Sequence, residues 1–442
     1  MLKKILFILT LIPAFTFAQH SIKGKFSPAE DYEWVLLYKV TATHSNYIDD
    51  AKMNKDGVFE FELDSTYTQG MYRLVYAVPQ EEFNFDIIYS GKENIEFTFN
   101  AETGVEYQSS VENKLMSSYT NSMAMVSQSI GNFYNQKSTD SLTLINIFET
   151  QKETQAEFEK ISEGSIVSNF IKANRPYIPE AFEDINTYIK NLKIHFFDHS
   201  DFNNEVLQSS NFLVERTLNY VFGMTTQEGN EIETFKRNID DVIAAMKMAT
   251  LETKKMLLHI LWQQLASANY EGVANYITDT SLLEIAKKLK DDELISELVT
   301  FKNVSLGQVA PDFDIEMLED KKIITKKLSE YNVAEQYVLV FWSSGCSHCL
   351  EELPQLHEFI KTFETDKLKV IAFGIEEDEF RWKAETYNFP DFTHVIGLGK
   401  WKNKTGNAYN ISSTPTYFVL GKDKKILAKL VDINELKTFL SN

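Results

Sequence analysis

The sequence predicts a multidomain chain: an antiparallel β-sandwich, then an all-α segment, then an α/β domain. Two changes of texture and one motif carry this reading. From residue 20 to 107, short runs alternate apolar with polar residues between turn signals such as Asp56-Gly57. From 109 to 303, glycine and proline thin out and apolar residues recur at spacings of three and four. From 304 onward strand-like and helix-like segments alternate, and both cysteines of the 442-residue chain stand there together, as Cys346-Ser347-His348-Cys349.

The chain opens with Lys3-Lys4, apolar Ile5 to Phe17, and Ala18 before polar Gln19-His20, the pattern of a signal peptide over residues 1–18. That apolar stretch, broken by Pro13, falls short of the roughly 20 residues that span a bilayer. Cleavage after Ala18 and a soluble, periplasmic product are therefore expected, with no membrane span; a secreted or envelope-anchored product is the alternative. No cysteine follows the stretch, which excludes lipid attachment there.

Residues 19–108 hold the expected strands Glu33 to Tyr38, Val58 to Leu63, Met71 to Tyr76 and Ile95 to Phe99. Their alternation suits one buried and one wet face, as in a small sandwich. Residues 109–303 read as about eight helices, with stripes such as Ile239, Val242, Ile243, Met246 and Leu257, Leu258, Leu261, Leu265. Pro176 and Pro179 exclude a continuous helix between them.

Residues 304–442 form the α/β domain. Tyr337 to Trp342 reads as a buried strand, Ser347 to Phe363 as a helix, Leu368 to Ile375 as a second strand and Glu377 to Tyr387 as a second helix. A hairpin of Thr416 to Leu420 and Lys425 to Val431 follows, and Ile433 to Leu440 closes as a helix.

A net charge of -20 argues against nucleic acid and anionic membrane surfaces as partners. Exported proteins often carry structural disulfides, yet this chain has no cysteine beyond its one pair. A third thiol would only trap a mixed disulfide unproductively.

The pair itself suits thiol-disulfide exchange. Cysteines three apart in the first turn of a helix share a face, within the Cα separation that a disulfide tolerates. Only the thiolate attacks, and bringing a thiol pKa from about 8.5 towards neutrality takes about 2 kcal/mol, which a helix N-terminus can supply. Cys346 occupies that position and is expected as the nucleophile, with Cys349, one turn further in, as the buried resolving thiol. Glu352, three residues along, is placed to take or relay the Cys349 proton. His348, when protonated, adds positive charge beside Cys346, Trp342 flanks the site at the strand end, and Pro354 is expected to kink the helix. The redox-active disulfide would be the only cofactor, with no metal required.

Other chemistries fit less well. Zinc takes four ligands, and here no second cysteine pair exists, while His357 would have to leave the helix face. Peroxide reduction would need a proline seven residues and a hydroxyl three residues before the nucleophile, positions held by Leu339 and Ser343. His195 and His199 lack the glutamate of a metalloprotease motif and suggest a polar helix end. A binding or scaffold protein with an accessory redox domain remains the alternative of a different class.

Four motifs add a family likeness: Gly307-Gln308-Val309-Ala310-Pro311-Asp312-Phe313, the stretch Val340 to Cys349, Glu351-Glu352-Leu353-Pro354, and Ser413-Thr414-Pro415-Thr416-Tyr417. Through them the last third of the chain resembles the TlpA/ResA branch of exported thiol-disulfide oxidoreductases, which have the thioredoxin fold. The resemblance implies protein thiol or disulfide substrates and a membrane or soluble redox partner. It implies a cis Pro415 facing the cysteines and a Thr414 backbone that pairs with extended substrate. It also makes Glu352 the match of that branch's active-site glutamate. Gly345 stands where the family usually has tryptophan, which should expose Cys346. His348 occupies the position where strongly oxidising relatives carry histidine, whereas many members of this branch are reductants, so the direction of electron flow stays open. The β-rich start resembles the small module that precedes such domains in exported proteins of the Bacteroidetes.

Overall fold

The computed structural model describes residues 20–224, 230–319 and 322–441; the expected signal peptide, 1–18, lies outside the described residues. The chain divides into two compact units, Met1–Ile260 and Leu261–Asn442.

The first unit begins with strands β1 (His20–Ser27), β2 (Trp34–Val40), β3 (Ser45–Lys52), β4 (Val58–Leu63), β5 (Gly70–Val75), β6 (Asn84–Tyr89), β7 (Ile95–Asn100) and β8 (Gly104–Tyr107). They make two four-stranded sheets, ordered β4-β1-β7-β8 and β3-β2-β5-β6. Every pairing is antiparallel except β1 with β7. Alternation decides what is buried: Phe59, Phe61 and Leu63 point inward from β4 while Glu60 and Glu62 face water. These side chains join Ile22, Phe26, Leu37, Leu74 and Phe97 in one core. The β6 edge is continued by a side chain: buried Asn113 accepts from the Ile88 N–H at 2.8 Å and donates to the Ile88 carbonyl at 2.7 Å. An edge strand so occupied no longer offers those groups to another chain.

Eleven α-helical segments lie between Val111 and Asn303 among the described residues. Asp140, Asp184, Asn204, Asn230 and Asp291 each cap one by accepting first-turn N–H groups. The sequence suggests fewer, about eight, because segments such as Glu205–Gln208 and Phe212–Leu218 are too short to show periodicity. No helix crosses 174–184, the stretch containing Pro176 and Pro179. Among the described residues no helix is long and apolar enough to cross a membrane.

The division into units falls inside the helix Leu251–Ser267, so the helices Glu271–Ile277, Leu283–Leu289 and Asp292–Asn303 belong with the C-terminal sheet. Glu271 accepts from the Leu306 N–H at 2.9 Å and pairs with Lys429, and Asn275 donates to Ser305 Oγ at 2.9 Å.

The second unit contains the hairpin β9 (Asp314–Glu319) and β10 (Lys322–Lys327), then β11 (Gln336–Trp342), β12 (Leu368–Glu376), β13 (Thr393–Leu398), β14 (Thr416–Gly421) and β15 (Ile426–Leu430). The last five form one sheet in the order β13-β12-β11-β14-β15. β11, β12 and β13 run parallel; β14 and β15 run antiparallel to their neighbours. The central β11 is buried on both faces, which explains its unbroken apolar run. Val338, Val340 and Trp342 pack with Leu353, Leu356 and Leu436 on one face, whereas Leu339 and Phe341 meet Phe373, Tyr409 and Phe418 on the other. The apolar floor thus ends at Trp342, where the chain turns towards the cysteines.

Candidate active site

The helix Ser347–Ile360 starts at the C-terminal end of β11, with Cys346 as its N-cap in an extended conformation. Cys346 Sγ accepts from the Cys349 N–H at 3.3 Å, so a sulfur takes the place usually given to a capping oxygen. On its other side the same thiol donates to the Thr414 carbonyl at 3.2 Å. The Thr414-Pro415 peptide bond is cis, as the family likeness implies. Both cysteines are free thiols; Cys349 is buried and Cys346 is partly exposed.

Their environments push the two thiols apart. Burial works against ionisation of Cys346, but hydrogen bonds from the Cys349 thiol and N–H, from the Thr414 side chain and from the His348 N–H outweigh it and hold the thiol below its ordinary value. Burial raises Cys349 to about 12, and its hydrogen bond to Cys346 adds to the rise. One sulfur is therefore poised to attack while its partner keeps a proton, the division of labour that exchange needs.

The remaining expected residues fall around this pair. Trp342 is fully buried beside Cys349 in the core, and its indole N–H finds no hydrogen-bond partner among the described residues. Exposed His348 contributes through its main chain. Glu352 lies one turn beyond Cys349, where its Oε2 accepts from the Tyr417 hydroxyl at 2.8 Å and the Ile433 N–H at 3.0 Å. The helix runs on through Pro354 to Ile360.

Two participants are not marked out in the sequence. Tyr417, three residues after Thr414, donates to Glu352, and burial, that hydrogen bond and the nearby Cys349 all raise its pKa. Glu376, at the end of β12, is 5 % exposed. Its Oε1 accepts from the Ser344 N–H at 2.5 Å and its Oε2 from Ser343 Oγ at 3.3 Å. Because the Ser343 carbonyl accepts from the Cys346 N–H at 3.1 Å, this carboxylate anchors the loop that presents the nucleophile. The available signals were weak: an acid closing an apolar strand, and a tyrosine just past the proline.

His195 and His199 do not share a helix face. The helix Ile185–Ile194 stops first, and His195 bonds Asp198 at 2.7 Å while stacking on Tyr177. No cluster of three or more His, Cys, Asp or Glu able to hold a metal occurs among the described residues.

Residues 335–426 match a family described as thioredoxin-like. The chain is 28 % identical over 130 residues to the thiol-disulfide oxidoreductase ResA of Bacillus cereus, covering 29 % of this chain and 72 % of that one. It is 32 % identical over 120 residues to the thioredoxin-like protein YneN of Bacillus subtilis, covering 26 % of this chain and 64 % of that one. A thioredoxin-like protein of Bacteroides caccae, known from its crystal structure, aligns at 19 % identity and a TM-score of 0.31 over 60 % of this chain and 96 % of that one. With the family match, the sheet order and the cysteine pair on its helix N-cap, the C-terminal part of the chain is a thioredoxin-like domain similar to those of thiol-disulfide oxidoreductases.

Proposed function

We propose that the chain is an exported thiol-disulfide oxidoreductase acting on protein substrates through Cys346 and Cys349. The observation that carries this reading is the geometry of two free thiols at one helix N-terminus, Cys346 partly exposed and accepting from the Cys349 N–H at 3.3 Å, Cys349 buried. The Cys346 thiolate attacks a substrate disulfide, forming a Cys346–substrate bond and releasing one substrate thiolate. Cys349 then gives up its proton and attacks Cys346 Sγ, closing the protein disulfide and releasing the second substrate thiolate. Two electrons have passed to the substrate, and an external dithiol reductant restores the pair. In the opposite direction the same two sulfurs donate their disulfide to substrate thiols.

Glu352 is assigned to the second step. Its carboxylate stands one turn from Cys349 and accepts from the Tyr417 hydroxyl and the Ile433 N–H, which supports a role in accepting or relaying the Cys349 proton. Thr414, whose carbonyl lies 3.2 Å from Cys346 Sγ, and the cis Pro415 that follows it are assigned to substrate binding.

Trapping tests the proposal. Cys349→Ser expressed in the native cell should accumulate proteins disulfide-linked to Cys346, released by dithiothreitol and absent from a Cys346→Ser, Cys349→Ser control. A folded single variant that captures no protein refutes a polypeptide substrate.

A further inference from the structure

We infer that a pocket beside the Thr414 loop, with one wall from the helix Asp292–Asn303, holds an extended stretch of the polypeptide whose disulfide meets Cys346. This rests on the redox reading above and adds to it the part of the substrate that is recognised. The pocket encloses about 480 Å³, within the range of ligand sites, and all of its lining belongs to the C-terminal compact unit. Its apolar lining is Trp262, Phe301 and Ile411, and its polar lining includes Thr300, Asn407 and Asn410.

Three observations select the occupant. First, Ile411 precedes Thr414 by three residues, a span of at most about 11 Å, and the Thr414 carbonyl lies 3.2 Å from Cys346 Sγ. At roughly 3.3 Å per residue, an extended peptide of about five residues bridges the sulfur and the pocket. Second, Asn407 and Asn410 line the pocket without a side-chain hydrogen bond to any described residue. A carboxamide both donates and accepts, which matches a peptide main chain. Third, the charge is wrong for a small acidic disulfide such as oxidised glutathione. Among the described lining residues there is no lysine or arginine and Glu297 is the single ionisable one, and nearby Lys429 is engaged by Glu271. Aromatic rings under neutral amides suit an uncharged segment with an apolar side chain.

The test compares insulin, a protein disulfide, with 5,5′-dithiobis(2-nitrobenzoate), a small one that spans no more than the cysteines. Two full-length variants are used: Asn407→Ala with Asn410→Gly, glycine because Asn410 is left-handed at φ 55, and Ser296→Trp, which fills the pocket from an exposed helix position. The ratio of kcat/KM for insulin to that for the small disulfide should fall about tenfold in each, mainly through KM, the effect of losing two ordinary hydrogen bonds. A ratio within twofold of the unaltered protein in both variants overturns the pocket. So does an equal loss with both substrates, which would mark a disturbed Thr414 loop. An unaltered protein that reduces only the small disulfide also overturns the pocket. One that reacts with neither sinks the redox reading itself.

Discussion

Replacing Cys349 with alanine removes one hydrogen-bond donor from Cys346 and leaves the others in place. The nucleophile keeps the main-chain N–H groups of residues 348 and 349 but loses the Cys349 thiol, a leading influence that lowers its pKa against the opposing effect of burial. An S–H is a weak donor, so its bond to a thiolate is taken at the low end for charged partners, about 1.4 kcal/mol, or tenfold in thiolate population. A more basic thiolate is also the better nucleophile, and a Brønsted coefficient of about 0.4–0.5 returns roughly threefold of that loss. The variant should therefore release thionitrobenzoate in the first attack about threefold more slowly on the acid limb of the pH profile. On the alkaline plateau it should be about threefold faster, so the two profiles cross. Cys349→Ser restores a donor and should track the unaltered protein. Peptide mapping after alkylation confirms that the reacting sulfur is Cys346. An alanine variant at or above the unaltered protein throughout the acid limb refutes the donor role.

The reduced protein should lose stability in alkali. Cys349 is raised in the folded state from 9.0 to about 12, so its contribution is complete below pH 9 and disappears as pH climbs towards 12; the Tm of the dithiol form should fall more steeply over that window than that of Cys349→Ser. Tyr417→Phe removes one of the donors to Glu352, a charge-assisted bond worth about 1.5–3 kcal/mol, and should lengthen the lifetime of the Cys346 mixed disulfide several-fold in quenched-flow trapping. An unchanged lifetime separates Glu352 from the second step. Glu376→Ala strips the acceptor from the buried Ser344 N–H at a cost of about 1–3 kcal/mol, and amide exchange over residues 343–346 should accelerate about tenfold or more. Protection equal to the unaltered protein would show that the loop holds itself.

What could be read from the sequence was what neighbouring residues decide. The run from Tyr337 to Trp342, the helix start at Ser347 and the placement of the cysteines at its first turn are set within about one turn of chain, and the structure has each of them. The strands β4 and β7 were equally plain because their alternation is strict. By contrast, β3 is a polar, largely exposed edge strand with no apolar stripe to reveal it. The division between compact units falls inside one continuous helix, where neither composition nor a turn residue marks it. Glu376 is one of 64 acidic residues, and only its place in space distinguishes it.

Sheet register supplies that place. Phe341 lies opposite Thr416 on β14, and Trp342 pairs with Gly374 on β12. The first pairing brings Thr414 and Tyr417 to one side of the loop 343–346, and the second brings Glu376 to the other. A slip of one residue in either pairing would turn every side chain to the opposite face. Here it would exchange Tyr417, which packs with Trp342 and Cys349, for Phe418, which packs with Phe341 and Phe373. The same aromatic burial that holds β11 between its neighbours therefore sets where the Thr414 carbonyl and the Tyr417 hydroxyl stand relative to the two sulfurs. Core substitutions that loosen this register should alter thiol reactivity before they unfold the chain, because the hydrogen bonds at Cys346 and Glu352 act only over short distances.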